Sequence, residues 1–200
     1  SPAPMITGTQ ILRPRATMGD TFHYRGADTV LVRSAGIDGM GFLVKTASIF
    51  PQNSAMGKPT VNGSATLFSD RDGTAEALLD FHLVTKWKTA GDSLLGATNL
   101  ARKNSRKITI IGAGFMARIM RAAYCAMFPD AEFTVWNRSP KNGTDFAQSF
   151  AKTRFEPNIR AAITGADIIC TTTASPAPLI QGSWLEPGQH VDLIGAFRPD

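Results

Sequence analysis

Residues Lys107 to Arg118 read Lys-Ile-Thr-Ile-Ile-Gly-Ala-Gly-Phe-Met-Ala-Arg, and this stretch constrains the fold more than any other. Ile108 to Ile111 are β-prone, and a helical pattern starts just after the glycines. Between the two lies Gly112-x-Gly114-x-x-Ala117. Such a triplet alone is a weak signal. Set between a strand and a helix, it is the pattern of a dinucleotide-binding βαβ turn. Gly112 would allow the tight turn, and Gly114 would let the backbone approach a pyrophosphate. Ala117 would let the helix pack close to the strand. The N–H groups that open the helix, at Phe115, Met116 and Ala117, are the expected phosphate donors. The competing reading is a buried strand and a Gly-rich turn with no ligand. The agreement of residue types and context favours the nucleotide.

Beyond Lys107 the pattern alternates. Strand Ile108–Ile111 leads into a helix through Ile119, Ala123 and Met127, which Pro129-Asp130 ends. Strand Phe133–Trp136 follows, then a short helix with Phe146 and Phe150 and another with Ile159, Ala162 and Ile163. Strands are expected again at Asp167–Thr172 and His190–Gly195. This alternation predicts an α/β fold with a Rossmann-like, doubly wound parallel sheet covered on both faces. The end of the second strand reads Asn137-Arg138-Ser139. An acidic residue there would favour NAD; its absence, with an arginine available for a 2′-phosphate, favours NADPH, with NADH as the alternative. Arg138 as a plain surface cation is the other reading.

The first half differs. Ser1 to Gly26 has little periodicity and reads as a loop, with Arg13-Pro14-Arg15 as a cationic pair beside a rigid residue. Thr29–Arg33 and Gly41–Phe50 read as strands. Both alternating faces of the second are largely apolar, which predicts a central strand. Lys45 is the anomaly there. It either snorkels along its stem to water or faces a cleft that receives an anion. Pro51 to Pro59 reads as a loop, and Ser64–Ser69 and Ala75–Leu79 read as a hairpin about Asp70-Arg-Asp-Gly73. Asp80 precedes a long helix with apolar positions at Leu83, Trp87, Ala90, Leu94, Ala97 and Ala101. Lys88 and Asp92 lie off that stripe and read as an exposed ion pair.

The net charge of +5 comes from scattered Lys and Arg residues, with no basic run or aromatic-basic motif. That argues against nucleic acid and suits an anionic small molecule or cofactor. Cys125 and Cys170 suggest neither a disulfide framework nor zinc, and His82 lacks a metal-ligand spacing motif. No metal is expected. No stretch reads as a membrane span or a signal, so a cytoplasmic protein is expected. Both ends look incomplete, with the chain stopping at Asp200 just after a strand-like run.

Several segments, in order, resemble the ornithine cyclodeaminase/mu-crystallin family. They are Phe42-Leu-Val-Lys45 with Phe50-Pro-Gln-Asn53, Leu79-Asp80, Thr85-Lys-Trp-Lys-Thr89, Ile111-Gly-Ala-Gly114, Val135-Trp-Asn-Arg138 and Gly195-Ala-Phe-Arg-Pro-Asp200. The resemblance implies a Rossmann-like NAD(P) domain, residues 101–200, and a mixed α+β domain for substrate binding and dimerisation, residues 1–100. A C-terminal return of the chain beyond Asp200 would complete the second of these. A homodimer acting on a small imino acid is implied.

By the same resemblance, Lys45 matches a lysine that contacts the substrate carboxylate, and Lys88 stands where most members have arginine for that task. Lysine keeps the charge but loses the bidentate fork. Arg15 loosely matches a third carboxylate contact. The nicotinamide is expected near the strand ends, by Thr171, Thr172, Thr173, Gly195 and Ala196. Phe197 stands where ornithine cyclodeaminases carry the aspartate that handles proton transfer, which argues against that chemistry. The nearest branch is then the cyclic ketimine reductases, with Δ1-pyrroline-2-carboxylate reduced to L-proline. Lys45 is also the expected catalytic residue, as a proton source for the imine. The alternatives are an ornithine cyclodeaminase and a non-catalytic, NADPH-dependent binding protein like the lens crystallin.

Overall fold

The computed structural model describes residues 11–175 and 177–195. The chain divides into two compact units, one ending at Lys88 and the other running from Thr89.

The first unit is built on five antiparallel strands. They are β1 (Thr17–Arg25), β2 (Asp28–Ile37), β3 (Gly41–Ile49), β4 (Val61–Phe68) and β5 (Ala75–Leu79), in the order β1-β2-β3-β4-β5. Short 3-10 turns lie at Arg13–Arg15 and Pro51–Met56. β3 takes the central place that its two apolar faces predict. β1 is a correction, because residues to Gly26 read as a loop. All nine of its residues are exposed, so no buried alternation marks it, and Gly19 and Asp20 interrupt Met18, Phe22 and Tyr24. Helix α1 (Phe81–Leu100) begins in this unit, where the Asp80 carboxylate accepts the Leu83 N–H at 2.6 Å and caps its first turn. Phe81 is buried. It reaches the sheet because Gly63 of β4 has no side chain; a Cβ there would be 2.6 Å from the Phe81 ring. Leu83 and Trp87, expected on the buried stripe, are 54% and 38% exposed.

The second unit carries Ala90, Leu94 and Ala97 of α1 in its core. Its strands are β6 (Lys107–Ile111), β7 (Glu132–Trp136), β8 (Thr153–Phe155), β9 (Ile168–Thr171) and β10 (His190–Asp192). They are parallel, in the order β10-β9-β6-β7-β8. Helices α2 (Phe115–Met127), α3 (Pro140–Gln148) and α4 (Ile159–Ile163) connect them. This is the expected doubly wound sheet. The strand order turns back between β6 and β9, the switch point where such sheets open a crevice at the carboxyl ends of the strands. Ile108, Ile110, Ile111, Val135, Ile168 and Ile169 are all at most 1% exposed. Met120, Tyr124 and Phe146 pack with one group of strand residues, and Ile163 and Ala166 with another, so both faces are covered. Three boundaries differ from expectation. β8 is too short to read, β10 stops at Asp192 rather than Gly195, and α3 ends before Phe150.

Asp167 fixes the start of β9. Its carboxylate accepts Arg102 Nη2 at 2.5 Å and the N–H groups of Arg106 and Lys107 at 2.7 and 2.9 Å. Burial works against its charge, but these donors hold the carboxyl below its usual range.

Candidate functional site

The turn from β6 to α2 has the features the glycine pattern predicts. Gly112 has φ +116°, and its N–H donates to the Trp136 carbonyl at 2.8 Å. A Cβ at Gly112 would lie 2.6 Å from Thr172 Oγ1, so both backbone and space require glycine. A Cβ at Gly114 would meet nothing within 4 Å, which leaves room above the first turn of α2. Ala117 is fully buried against the core. No acidic residue occupies the first turn, so the N–H groups of Phe115, Met116 and Ala117 and the helix dipole favour an anion there.

The strand ends beside this turn are tied together. The N–H and Oγ1 of Thr172 both donate to the Ile111 carbonyl, at 2.8 and 3.0 Å. Thr171 Oγ1 donates to the Asp192 carbonyl at 3.4 Å, and the Gly195 N–H donates to the Thr171 carbonyl at 3.1 Å. Gly112, Thr171, Thr172, Thr173 and Gly195 thus converge at the carboxyl ends of β6, β9 and β10. Ala196 and Phe197 lie outside the described residues. At the end of β7, Asn137 donates to the Ser139 carbonyl at 3.0 Å, Ser139 caps α3, and Arg138 is exposed.

Behind this crevice the hydroxyl of Tyr124 donates to Asp192 Oδ2 at 2.9 Å. Burial first, and the Asp192 carboxylate that it faces, keep that phenol protonated, and burial pushes the Cys170 thiol up as well. Burial lowers His190 against the opposing charge of Asp192. A cleft of about 630 Å³ lies elsewhere, at the opposite ends of the strands, lined by Lys107, Glu132, Lys152 and Arg154 among others. Doubly wound sheets use the carboxyl ends, so this cleft is not the nucleotide site. Among the described residues no group of three or more His, Cys, Asp or Glu side chains could hold a metal ion.

In the first unit, Lys45 is half-buried at the middle of β3. Its Nζ donates to Thr85 Oγ1 at 3.1 Å and lies 5.1 Å from the centre of the Phe81 ring. The hydroxyl and the ring face stabilise an ammonium that water reaches only in part. Phe81, Thr85 and Lys88 fall at i, i+4 and i+7 on α1, so Lys88 shares the helix face that meets Lys45. Arg15 is exposed at the end of its 3-10 turn, and no described contact joins it to this group.

Sequence reasoning missed two residues. Asp20, Arg33 and Lys45 stand directly opposite one another across β1, β2 and β3. Arg33 holds Asp20 with two hydrogen bonds, Nε to Oδ1 at 2.7 Å and Nη2 to Oδ2 at 2.6 Å. The Arg33 hydrogen bond holds the Asp20 carboxyl below its usual range; burial opposes it, and the charges of Arg33 and then Lys88 add to the lowering. A usable signal was present. Asp38-Gly39 signals a hairpin, and the three-residue turn from Asp38 to Met40 fixes the register that sets Arg33 against Lys45.

With this geometry in view, the model of the ornithine cyclodeaminase/mu-crystallin family matches residues 32–200. The chain belongs to that family. Over 192 residues it is 41% identical to a Δ1-pyrroline-2-carboxylate reductase of Paracoccus denitrificans, covering 94% of this chain and 61% of the relative. It is 30% identical over 192 residues to the ketimine reductase mu-crystallin of Rattus norvegicus, covering 95% and 61%. Among solved structures, that of Thermococcus litoralis Δ1-pyrroline-2-carboxylate reductase, in complex with NADH and L-proline, superposes with a TM-score of 0.87 at 26% identity. The match covers 96% of this chain and 64% of that one. This family member therefore spans about three-fifths of the length of these relatives.

Proposed function

We propose that the protein reduces a cyclic imino acid, with Δ1-pyrroline-2-carboxylate to L-proline as the leading reaction. The observation that carries this reading is a shaped dinucleotide turn in one unit and a half-buried lysine on the sheet of the other. The 41% identity to a reductase of that substrate supports it. The residues fit a nicotinamide dinucleotide. Gly112 and Gly114 leave the space a Cβ would take, and the first turn of α2 offers N–H donors to its phosphates. Thr171, Thr172, Thr173 and Gly195, with Ala196, would flank the nicotinamide end. When bound, NAD(P)H supplies the hydride.

The chain's own residues do the rest. Lys45 and Lys88 hold the substrate carboxylate, with Arg15 as an outer contact. Fixing that end orients the imine carbon, so most of the acceleration is positioning. Thr85 and Phe81 keep the Lys45 ammonium aimed, and Lys45 is the proton source that keeps the imine nitrogen protonated as carbon accepts hydride. Arg138 beside Asn137 favours the 2′-phosphate of NADPH over NADH. Phe197 cannot relay a proton, which supports a reductase over an ammonia lyase. We further propose a homodimer formed through the domain of residues 1–100. The two unpaired cysteines suit a reducing cytoplasm. The test is NAD(P)H oxidation by wild type and Lys45→Ala with Δ1-pyrroline-2-carboxylate; near-normal turnover in the variant would refute the role of Lys45.

A further inference from the structure

Tyr124, Cys170 and Asp192 form a polar cluster at the edge of an apolar core. Tyr124 and Cys170 are fully buried and belong to the same core as Ile108, Ile110 and Ile168. Asp192, partly buried at the last position of β10, pairs with Cys170 of β9. Its Oδ2 accepts the Tyr124 hydroxyl at 2.9 Å and the Cys170 thiol at 3.6 Å. Among the described residues Asp192 has no ion-pair partner. A carboxylate held only by neutral donors in this setting carries a desolvation cost that an apolar pair of similar volume would not. Packing alone gives no reason for it.

The place of the carboxylate supplies one. Tyr124 stands on α2, the helix whose first turn offers N–H donors to the dinucleotide phosphates. Asp192 leads directly into residues 193–195, at the nicotinamide end of the crevice. The Gly195 N–H donates to the Thr171 carbonyl at 3.1 Å. A Cβ on Gly195 would lie 2.3 Å from the Thr173 carbonyl oxygen, so this segment lies flush against the end of β9. The Asp192 main-chain carbonyl also accepts Thr171 Oγ1 at 3.4 Å. One residue thus joins three elements. Its carboxylate holds α2, its carboxylate and carbonyl hold β9, and its own chain continues into the 193–195 segment.

We propose that Asp192, gripped by Tyr124, is a positioning residue that sets the nicotinamide end of the crevice relative to the phosphate-binding turn. It acts through the backbone of residues 171–173 and 193–195. This deepens the reductase reading and rests on it. Hydride transfer is sensitive to such placement, since a shift of about 1 Å costs about a hundredfold in rate.

The test compares Asp192→Ala, Asp192→Asn and Tyr124→Phe with wild type. It measures kcat with Δ1-pyrroline-2-carboxylate, and affinity for NADPH and for 2′-phospho-ADP-ribose, which is the same nucleotide without its nicotinamide. NADH and ADP-ribose serve as a second such pair. In Asp192→Ala, kcat should fall about tenfold or more and dinucleotide affinity about tenfold, while the truncated nucleotide stays within about twofold of wild type. Asp192→Asn keeps an oxygen acceptor and should recover most of the turnover, with Tyr124→Phe in between. All three variants lose some thermal stability, but a general loosening would weaken whole and truncated nucleotides alike. If Asp192→Ala does not fold, Tyr124→Phe decides by the same comparison. Equal weakening of whole and truncated nucleotides, turnover within about threefold of wild type in the variants that fold, or no recovery in Asp192→Asn would overturn the proposal and leave a packing contact only. If the wild type does not oxidise NAD(P)H with the imine, the reductase reading falls. A loss confined to the whole dinucleotide would then still uphold the positioning role, and an equal loss on both would sink it.

Discussion

The two sheets of this chain are stabilised differently. In the parallel sheet, Ile108, Ile110, Ile111, Ile168 and Ile169 are buried on both sides by helices. In the antiparallel sheet the buried apolar residues are small, Ala47 and Ala65, and β1 is exposed along its whole length. The parallel sheet holds backbone in fixed positions, as a phosphate-binding turn needs. The antiparallel sheet displays long charged side chains, Arg33 and Lys45, at its middle. Substitutions in the first unit should therefore change substrate kinetics with little loss of stability. Substitutions in the second should change stability and cofactor binding together.

The largest effect is expected at Lys45. Lys45→Ala should lower kcat/KM for the imino acid by about a thousandfold, roughly 4 kcal/mol. Thermal stability and cofactor affinity should stay near wild type. A large fall in melting temperature would blur the contrast between the sheets, because Lys45 would then be a structural residue. Gly112→Ala comes next. Its φ and the 2.6 Å approach to Thr172 Oγ1 predict a loss of about 2 to 3 kcal/mol, with cofactor titration weakened in step. Unchanged affinity would mean the turn is not the phosphate cradle.

Asp167→Asn should cost about 2 kcal/mol at neutral pH, through lost charge-assisted hydrogen bonds. The sign follows from its lowered carboxyl. The folded state binds the proton less readily than the unfolded one, so the stabilisation is full above about pH 4 and fades as pH falls through the lower folded value. Urea melts of wild type and variant should converge on acidification. A constant gap would mean that packing, not charge, accounts for it. The smallest effect is at Arg138, where Arg138→Ala should weaken NADPH by about tenfold, near 1.4 kcal/mol, and leave NADH alone.

The contrast also explains what could be read in advance. β6, β7 and β9 were legible because continuous apolar runs between helical patterns have few other homes. The glycine turn was legible because residue type and backbone requirement coincide at Gly112. β1 was not, since an exposed edge strand carries no burial pattern. Lys45 stood out as a charge in an apolar strand, yet its partners Thr85 and Phe81 lie about 40 residues away, and only the folded chain joins them. On α1 the periodic stripe drew attention to Leu83 and Trp87, whereas Phe81, Thr85 and Lys88 form the face that meets Lys45. Arg33 looked like the end of a strand until the register set it beside Lys45.

The most direct test of the central claim follows nicotinamide absorbance with Δ1-pyrroline-2-carboxylate, while a parallel reaction with ornithine is monitored for ammonia. The expected result is stoichiometric oxidation of NAD(P)H with L-proline formed and no ammonia from ornithine. Ammonia release from ornithine without net cofactor turnover would contradict it, and would mean that a residue other than Phe197 supplies the missing proton relay.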